Sequence, residues 1–580
     1  MMTLSAFLPH RPYLRQLFAT ERKELRNMSF VSVIGTGFLA LCVMIQFLFL
    51  CWCNLTQWPS HLDNDSSTQI LKVLEIAKAE SLSLPNWNDT TSLLLDTPLT
   101  LAAVLLPLFR DPFIAYAVAV ILLLAAFIYV SWQLLRRLNC PLPVRLLTIL
   151  LLLCPYSYEV VLGYANCMLV QSAHYLMRVL YLLYLLYSLV TIEQREVGPL
   201  HLLTWLFTLG LGAWIALSSG LFLLLLALLP MVCGYIVRAL AASRPRLLRS
   251  PGMAFLLLNL LAFAGGTFVQ RNVIHFASRD ASITWNSYSA FFTNLESVLQ
   301  GWLKLTGALP SVGGVVVLSY AGIAYGISFL VSLGLLSGLL FCLLRIARAP
   351  AAACHAAPST RGLVFACLLS IIALNLLVLT GGSLAYGESI YESRYLIFLL
   401  IAVILLLTLC LPWLKRVGGL YAPAIALFSL LTVGNAVACN TGYLAHPTYD
   451  FHAMQAVTNT LDAAYPDVRV VYMLTNDHDR RILRVVDPSK VYRLVSGDYI
   501  SGDYTYYSDG SGLDAGTLLL ATDSQYANMD PALAASFKKT DLDPVWLYMD
   551  QTGYSTNDPQ PYGIYYCSQG GIDLTSLPSL

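Results

Sequence analysis

From Phe30 to Trp52 the sequence contains no charged residue, and that run constrains the fold more than any other feature. About 20 consecutive apolar residues, wound as a helix, cross the hydrocarbon of a bilayer. Comparable runs start near Phe30, Pro112, Leu146, Leu176, Leu202, Leu221, Met253, Val315, Leu363, Leu396 and Leu420, so about eleven transmembrane helices are expected. Composition agrees, with 57% hydrophobic and 12% charged residues over 580 positions and a mean hydropathy of +0.66. Such a chain has too few charges to cover a water-soluble surface. The expected fold class is a polytopic α-helical membrane protein with a C-terminal extracytoplasmic α/β domain. The first run is longer than a secretory signal core, lacks a small-residue cleavage site and follows a basic arm, residues 1–29, so it is expected to remain as a helix.

Lysine and arginine set the expected orientation. Arg11, Arg15, Arg22, Lys23 and Arg26 precede the first span. Further clusters fall on alternate loops: Arg136, Arg137 and Arg145; Arg238, Arg244, Arg246 and Arg249; Arg345, Arg348 and Arg361; Lys415 and Arg416. The positive-inside rule makes these cytoplasmic, while the loop around Arg195 is mixed in charge and decides little. An odd number of spans then leaves the N-terminus cytoplasmic and the C-terminus outside the cell membrane. The outward loops become 53–98, a short one near Asn166, 271–314 and 381–394, besides a minimal turn at Ser219. Thr100 to Phe109 is apolar but too short to cross, and Arg110-Asp111-Pro112 interrupts it, so it reads as an interfacial helix.

After about Asn440 the apolar runs shorten, Asp becomes frequent and Glu is absent. Val468 to Leu474 and Gly516 to Thr522 read as short buried strands, and Ala453 to Ala464 has a helical apolar period. The expected division is therefore a basic arm at 1–29, a membrane domain at 30–439 and a soluble α/β domain at 440–580. Most of the 13 Cys lie inside spans, where a thiol acts as a small apolar side chain. Cys439 and Cys567 flank the last domain and are a candidate disulfide. Asn54-Leu-Thr, Asn64-Asp-Ser and Asn88-Asp-Thr match the glycosylation pattern on the first outward loop.

The polar chemistry concentrates outside. Asp63-Asn64-Asp65 follows the first span by about ten residues. Two carboxylates two residues apart diverge in pKa when one is more desolvated, which leaves a base near neutral pH able to take a proton from a hydroxyl. The same residues also suit an ordinary solvated turn. Arg394 stands at the outer mouth of a late span, where a guanidinium matches phosphate oxygens in bidentate geometry; a snorkelling anchor is the plainer reading. Glu159 and Arg178 lie within or near spans, where ionisable groups are paired or functional, so they form a candidate cavity pair, structural or site-lining. Ser496-Gly-Asp498-Tyr and Ser501-Gly-Asp503-Tyr suit a Gly/Asp turn cluster or a carbohydrate or calcium loop. No GxxxxGKS/T, GxGxxG after a strand, HExxH or Cys/His metal spacing occurs, so no dedicated metal site is expected.

The Asp63-Asn64-Asp65 element after the first span, the helical stretch Thr68 to Ala79, Leu84-Pro85-Asn86-Trp87, the apolar segment Leu101 to Phe109, and Glu392-Ser393-Arg394-Tyr395 at a late span together resemble the GT-C class of integral-membrane glycosyltransferases. The resemblance covers the whole architecture. It implies transfer of a sugar from a polyprenyl-phosphate carrier to a hydroxyl acceptor on the outer face, with inversion. Asp63 would be the general base in the catalytic loop 53–98, and Asp65 its partner. Arg394, with Tyr395 beside it, would neutralise the donor phosphate, assisted by Arg271, Arg279 or His275. The acceptor would be a glycan, lipid or protein, and no nucleic acid is expected. Two Asp residues also make Mg or Mn a candidate cofactor. A transporter or flippase of lipid-linked sugars shares the need for many spans, although no internal repeat is evident. A non-catalytic cell-envelope assembly protein is a third reading.

Overall fold

Ser29 caps the first helix, α1 (Phe30–Thr56), its hydroxyl accepting from the Ser32 amide. The structure, a computed structural model, describes residues 29–570 apart from 63, 83, 85–86, 88–92, 159–162, 171, 197, 242–248, 275–283, 311–312, 349–359, 383–392, 412–413, 415–420, 447–450, 475–476, 495–514 and 550–554. After α1 come a single turn, α2 (Trp58–His61), then α3 (Asn64–Ala79) and α4 (Leu99–Phe109). Next are α5 (Pro112–Arg137), α6 (Leu142–Leu153) and α7 (Leu176–Glu193).

Among the described residues ten helical segments are long and apolar enough to cross a membrane: α1, α5, α7, Pro199–Ser218 (α8), Gly220–Leu240 (α9), Pro251–Asn272 (α10), Tyr320–Arg345 (α11), Thr360–Gly381 (α12), Ser393–Cys410 (α13) and Tyr421–Ala445 (α14). The chain is a multi-pass membrane protein. α8 and α9 adjoin at Ser219, where a minimal turn was expected. The expected span near Val315 becomes helical at Tyr320, leaving Val316, Val317 and Leu318 exposed ahead of it.

The expected span near Leu146 is instead a short helix. α6 has 12 residues, about 18 Å at 1.5 Å per residue, which is short of the roughly 30 Å hydrocarbon core. Cys154 adopts an extended conformation before Pro155, as the clash with a following proline ring demands. Among the described residues that follow, 155–158, 163–170 and 172–174, the backbone is mostly buried and forms one wide helical turn, Ala165–Leu169. Non-helical backbone is stable at such depth only when protein encloses it and pairs its polar groups. Here Tyr164 Oη donates to Leu152 O at 2.8 Å, and Tyr175 N to Cys167 O at 2.9 Å.

α5 defines the two ends of the bundle. Near its start Tyr116 Oη lies 2.8 Å from Ser172 O and within hydrogen-bond reach of Gln69 in α3. At its finish Arg137 pairs with Glu196, and Gln194 Nε2 donates to Arg137 O at 3.2 Å. Tyr235 Oη, in α9, donates to Glu193 at 2.5 Å, at the same end. The loops carrying Arg136, Arg137 and Arg195 therefore gather at one end, with Arg238 and Arg361–Gly362 beside them. Inside the bundle, Gln46 and Asn440 exchange hydrogen bonds at 3.3 and 2.7 Å between α1 and α14.

The expected interfacial helix is α4, with Val104 and Leu108 exposed along one side and Leu99 and Ala102 buried on the other. Arg110 ends it in the left-handed region, φ 58°. Beyond α14 the chain builds a small α/β unit: α15 (Phe451–Ala464), β1 (Val470–Met473), α16 (Asp477–Val486), β2 (Val491–Leu494), β3 (Thr517–Ala521), β4 (Phe537–Lys539), β5 (Val545–Met549) and β6 (Ser555–Cys567). The sheet order is β2-β1-β3-β6-β4, with β5 also on β6. β1 runs parallel to β2 and β3, and α16 makes the crossover between β1 and β2. Both expected strands appear, as β1 and β3. β6 did not read as a strand because Pro559 and Pro561 interrupt its pattern.

Two expectations are corrected by burial. Cys439 is buried within α14, its thiol 3.4 Å from Asn435 Oδ1, whereas Cys567 Sγ faces Gln569 O at 2.9 Å; both are free thiols. Asn54 is buried, and its amide donates to Leu50 O at 2.8 Å and Leu169 O at 3.0 Å. It belongs to helix packing rather than to a glycosylation site. The Ser496 to Tyr504 doublet lies outside the described residues.

Candidate active site

The segment between α1 and α3 is pinned by rings. Trp58 stacks on Phe113 at 3.6 Å and meets Phe451 edge-on at 5.1 Å, while His61 stacks on Tyr443 at 3.9 Å. Asp63 lies outside the described residues. α3 starts at Asn64, four residues ahead of the expected Thr68, which places Asp65 in its first turn, where the exposed amides of a helix N-terminus favour a carboxylate.

Arg394 comes from a single tight turn, Ser393–Leu396, at the mouth of the span that continues as Ile397–Cys410. Its Nη1 lies 3.2 Å from Asp65 Oδ2. Both side chains are partly open, 22% for Arg394 and 42% for Asp65, so a ligand has access to both. Tyr395 packs on Phe222 at 5.6 Å, and the Arg394 guanidinium lies 5.9 Å from the Tyr395 ring. The sequence-expected residues Asp65, Arg394 and Tyr395 are thus brought together from opposite parts of the chain.

A second pair lies beneath them. Arg178 Nε is 2.5 Å from Asp96 Oδ2, with side-chain exposures of 9% and 0%. The Arg178 guanidinium also covers the rings of Tyr175 at 5.0 Å and Phe222 at 5.9 Å. The expected partner of Arg178, Glu159, lies outside the described residues, so the partner seen is Asp96. That carboxylate sits between Leu93-Leu94-Leu95 and an apolar helix, and a lone acid in such a setting was the signal that could have found it.

His174 sits among these charges. It is buried, with 7% of its surface exposed, and its ring lies 4.9 Å from that of Tyr175. Neither ring nitrogen has a hydrogen-bond partner among the described residues. Burial pushes its imidazole pKa down, to about 3; Asp65 and Asp96 oppose that shift, and Arg394 and Arg178 reinforce it. The ring is therefore neutral at neutral pH. Burial alone would raise the Asp65 carboxyl, but His174 when charged, Arg394 and Arg481 hold it below the ordinary value. With His174 neutral, the two arginines carry that effect.

Arg481 comes from the C-terminal unit. It is buried in α16, and its Nη1 donates to Thr68 Oγ1 at 3.2 Å, one turn along α3 from Asp65. Arg484 Nη2 lies 3.6 Å from Glu75 Oε1 on the same helix. Local sequence offers no signal for a contact spanning 413 positions. Arg271 ends α10 and is exposed, with no contact to Asp65 or Arg394 among the described residues. Arg279 and His275 lie outside the described residues.

Among the described residues no group of three His, Cys, Asp or Glu could hold a metal, and Asp65 already faces two arginines. Asp63, the other carboxylate of the candidate Mg or Mn pair, lies outside the described residues.

No family model and no curated protein matches the chain. Among solved structures it is similar to ArnT from Cupriavidus metallidurans in the apo state, with a TM-score of 0.45 and 13% identity over 94% of this chain and 99% of that one. The form of ArnT bound to undecaprenyl phosphate gives a TM-score of 0.44 and 16% identity over 91% and 98%. The apo oligosaccharyltransferase of Archaeoglobus fulgidus gives 0.42 and 11% over 78% and 64%. These are similarities to other proteins; the chemistry of the site rests on this chain's own residues.

Proposed function

We propose that this protein is a membrane glycosyltransferase of GT-C type that moves a sugar from a polyprenyl-phosphate carrier to a hydroxyl acceptor on the outer face, with inversion. The observation that carries the reading is the 3.2 Å contact between Asp65 and Arg394. It sets a partly open guanidinium, suited to a lipid-linked phosphate, beside the loop that bears Asp63. Arg136, Arg137, Arg195, Arg238 and Arg361 gather at the opposite end, and the positive-inside rule assigns that end to the cytoplasm. The site, the C-terminal unit after Asn440 and the C-terminus are then extracytoplasmic, and the N-terminal arm is cytoplasmic.

In this scheme Asp63 takes the proton of the acceptor hydroxyl as its oxygen attacks the anomeric carbon. The bond from that carbon to the phosphate oxygen breaks, and the carrier phosphate leaves as an anion. Arg394 stabilises the charge that develops on it. Asp65, held ionised against Arg394, orients the guanidinium. The test is transfer by purified protein in lipid discs, offered a panel of polyprenyl-phosphate monosaccharides and the matching nucleotide sugars. Transfer from the lipid carriers alone is expected. Transfer from a nucleotide sugar without any carrier would overturn the class, and no transfer from the whole panel would move weight to a transporter of lipid-linked sugars.

A further inference from the structure

His174 is the buried polar group that the proposed transfer leaves unused. A neutral imidazole sealed from water with both nitrogens unsatisfied forfeits its hydrogen bonds, at a cost comparable to desolvating a polar group. Such a group in a folded protein calls for a hydrogen-bond partner, and a ligand oxygen can supply one.

Its surroundings narrow the ligand. The segment that bears it is held in place on two sides: the Ser172 carbonyl lies 2.8 Å from Tyr116 Oη, which also reaches Gln69, one turn after Asp65 in α3. On the other side Tyr175 packs on Phe222 at 5.9 Å, and Phe222 on Tyr395 at 5.6 Å. His174 therefore lies between the first turn of α3 and the Arg394–Tyr395 turn. The charged and titratable groups that face it are Asp65 from α3, Asp96 before α4, Tyr175 and Arg178 at the start of α7, and Arg394. Asp96 is matched to Arg178 at 2.5 Å and Asp65 to Arg394 at 3.2 Å. Arg481 adds a further cation on the Asp65 side, so three guanidinium groups converge on a cluster that holds a ring with an unused N–H donor.

We propose that His174 completes the phosphate site, its ring N–H donating to an oxygen of the carrier phosphate whose charge Arg394 neutralises. This rests on the lipid-phosphate donor proposed for the enzyme and adds a residue to its site. The neutral ring suits the role, because it supplies a donor without repelling Arg394 and Arg178. A ring N–H to phosphate is a charge-assisted bond, stronger than a neutral one.

The test measures binding rather than turnover. Full-length protein in lipid discs is titrated with polyprenyl phosphate and with the uncharged polyprenol of the same chain length. The quantity read is the ratio of the two affinities. Wild type should prefer the phosphate. His174→Phe keeps a planar ring beside Tyr175 without a donor, and it should lower the ratio about 10- to 100-fold, the worth of a hydrogen bond to a charged group. His174→Gln restores a donor and should recover most of the ratio. His174→Leu serves the same comparison if Phe is not accommodated. A general packing defect would weaken both lipids together and leave the ratio unchanged, which would overturn the inference. A wild-type protein with no preference for the phosphate would instead overturn the donor reading itself.

Discussion

Asp96 and Arg178 form the most deeply buried ion pair near the site, and removing one partner tests whether the cluster is assembled as described. In Asp96→Asn the guanidinium stays in place and stays charged, since arginine does not lose its proton in proteins. The Nε–Oδ2 distance is 2.5 Å and the side chains are 9% and 0% exposed, so water cannot substitute for the lost carboxylate. Breaking a buried pair from one side costs about 3–5 kcal/mol. The rings of Tyr175 and Phe222 over Arg178 retain roughly 1–2 kcal/mol of cation–π attraction, so the lower end, about 3 kcal/mol, is expected. Arg178→Met alone should cost a similar amount. The double variant Asp96→Leu with Arg178→Met removes both charges and should be near wild type, because an apolar pair of similar volume often replaces a buried ion pair without loss. Equilibrium unfolding in mixed micelles gives the four free energies of the cycle. Additive costs in the double variant, or a loss below about 1 kcal/mol in Asp96→Asn, would place the two side chains in a wetter setting than the one described.

Further outcomes bear on the chemistry. Asp63→Asn should leave the unfolding transition in place and lower turnover by about 10²- to 10⁴-fold, the usual loss with a general base; unchanged turnover would return Asp63 to an ordinary loop residue. Arg394→Lys keeps the charge but loses the planar fork, so the donor concentration for half-maximal rate should rise, and rise further in Arg394→Ala; variants that alter only expression would make Arg394 an anchor. The Asp65 carboxyl is held low by neighbouring cations, so its ionised form persists as pH falls below the ordinary Asp range and is lost only through the lowered pKa. Arg394→Ala should therefore move the infrared band of protonated Asp65, assigned with Asp65→Asn, to higher pH, and an unmoved band would remove Arg394 from its electrostatics. A cysteine placed at exposed Ser81 should react with an impermeant thiol reagent in intact cells, and one at exposed Arg195 only after permeabilisation; the reverse pattern would invert the topology.

Much of the fold was legible because crossing a bilayer is a local requirement. About 20 apolar residues in a row form a spanning helix whatever lies beside them, and ten of the expected starts became such helices among the described residues. The start near Leu146 differed because its helix ends at Leu153, with Cys154 extended before Pro155, and the described residues that follow form only one wide helical turn before α7. Hydropathy cannot distinguish a segment that faces lipid from one that faces protein, so it could not foresee that shape. In the C-terminal unit β1, β3 and α15 followed from apolar period, while the prolines of β6 masked a strand that the sheet tolerates.

For the site, the sequence by itself singled out the groups with unusual settings: carboxylates just outside the first span, an arginine at the mouth of a late one, and charges inside apolar runs. Burying or placing a charge there is costly enough to be conspicuous in one dimension. Which charge meets which was decided only by tertiary structure. Asp65 reaches Arg394 across 329 positions, Asp96 meets Arg178 across 82, and Arg481 joins α3 across 413. The physical reason is that helices in a bilayer associate through packing and polar contacts between particular faces, since lipid tails are as apolar as the side chains they replace. Hydropathy therefore fixes that a helix crosses, and the shape of its neighbours fixes which of its ends share a site.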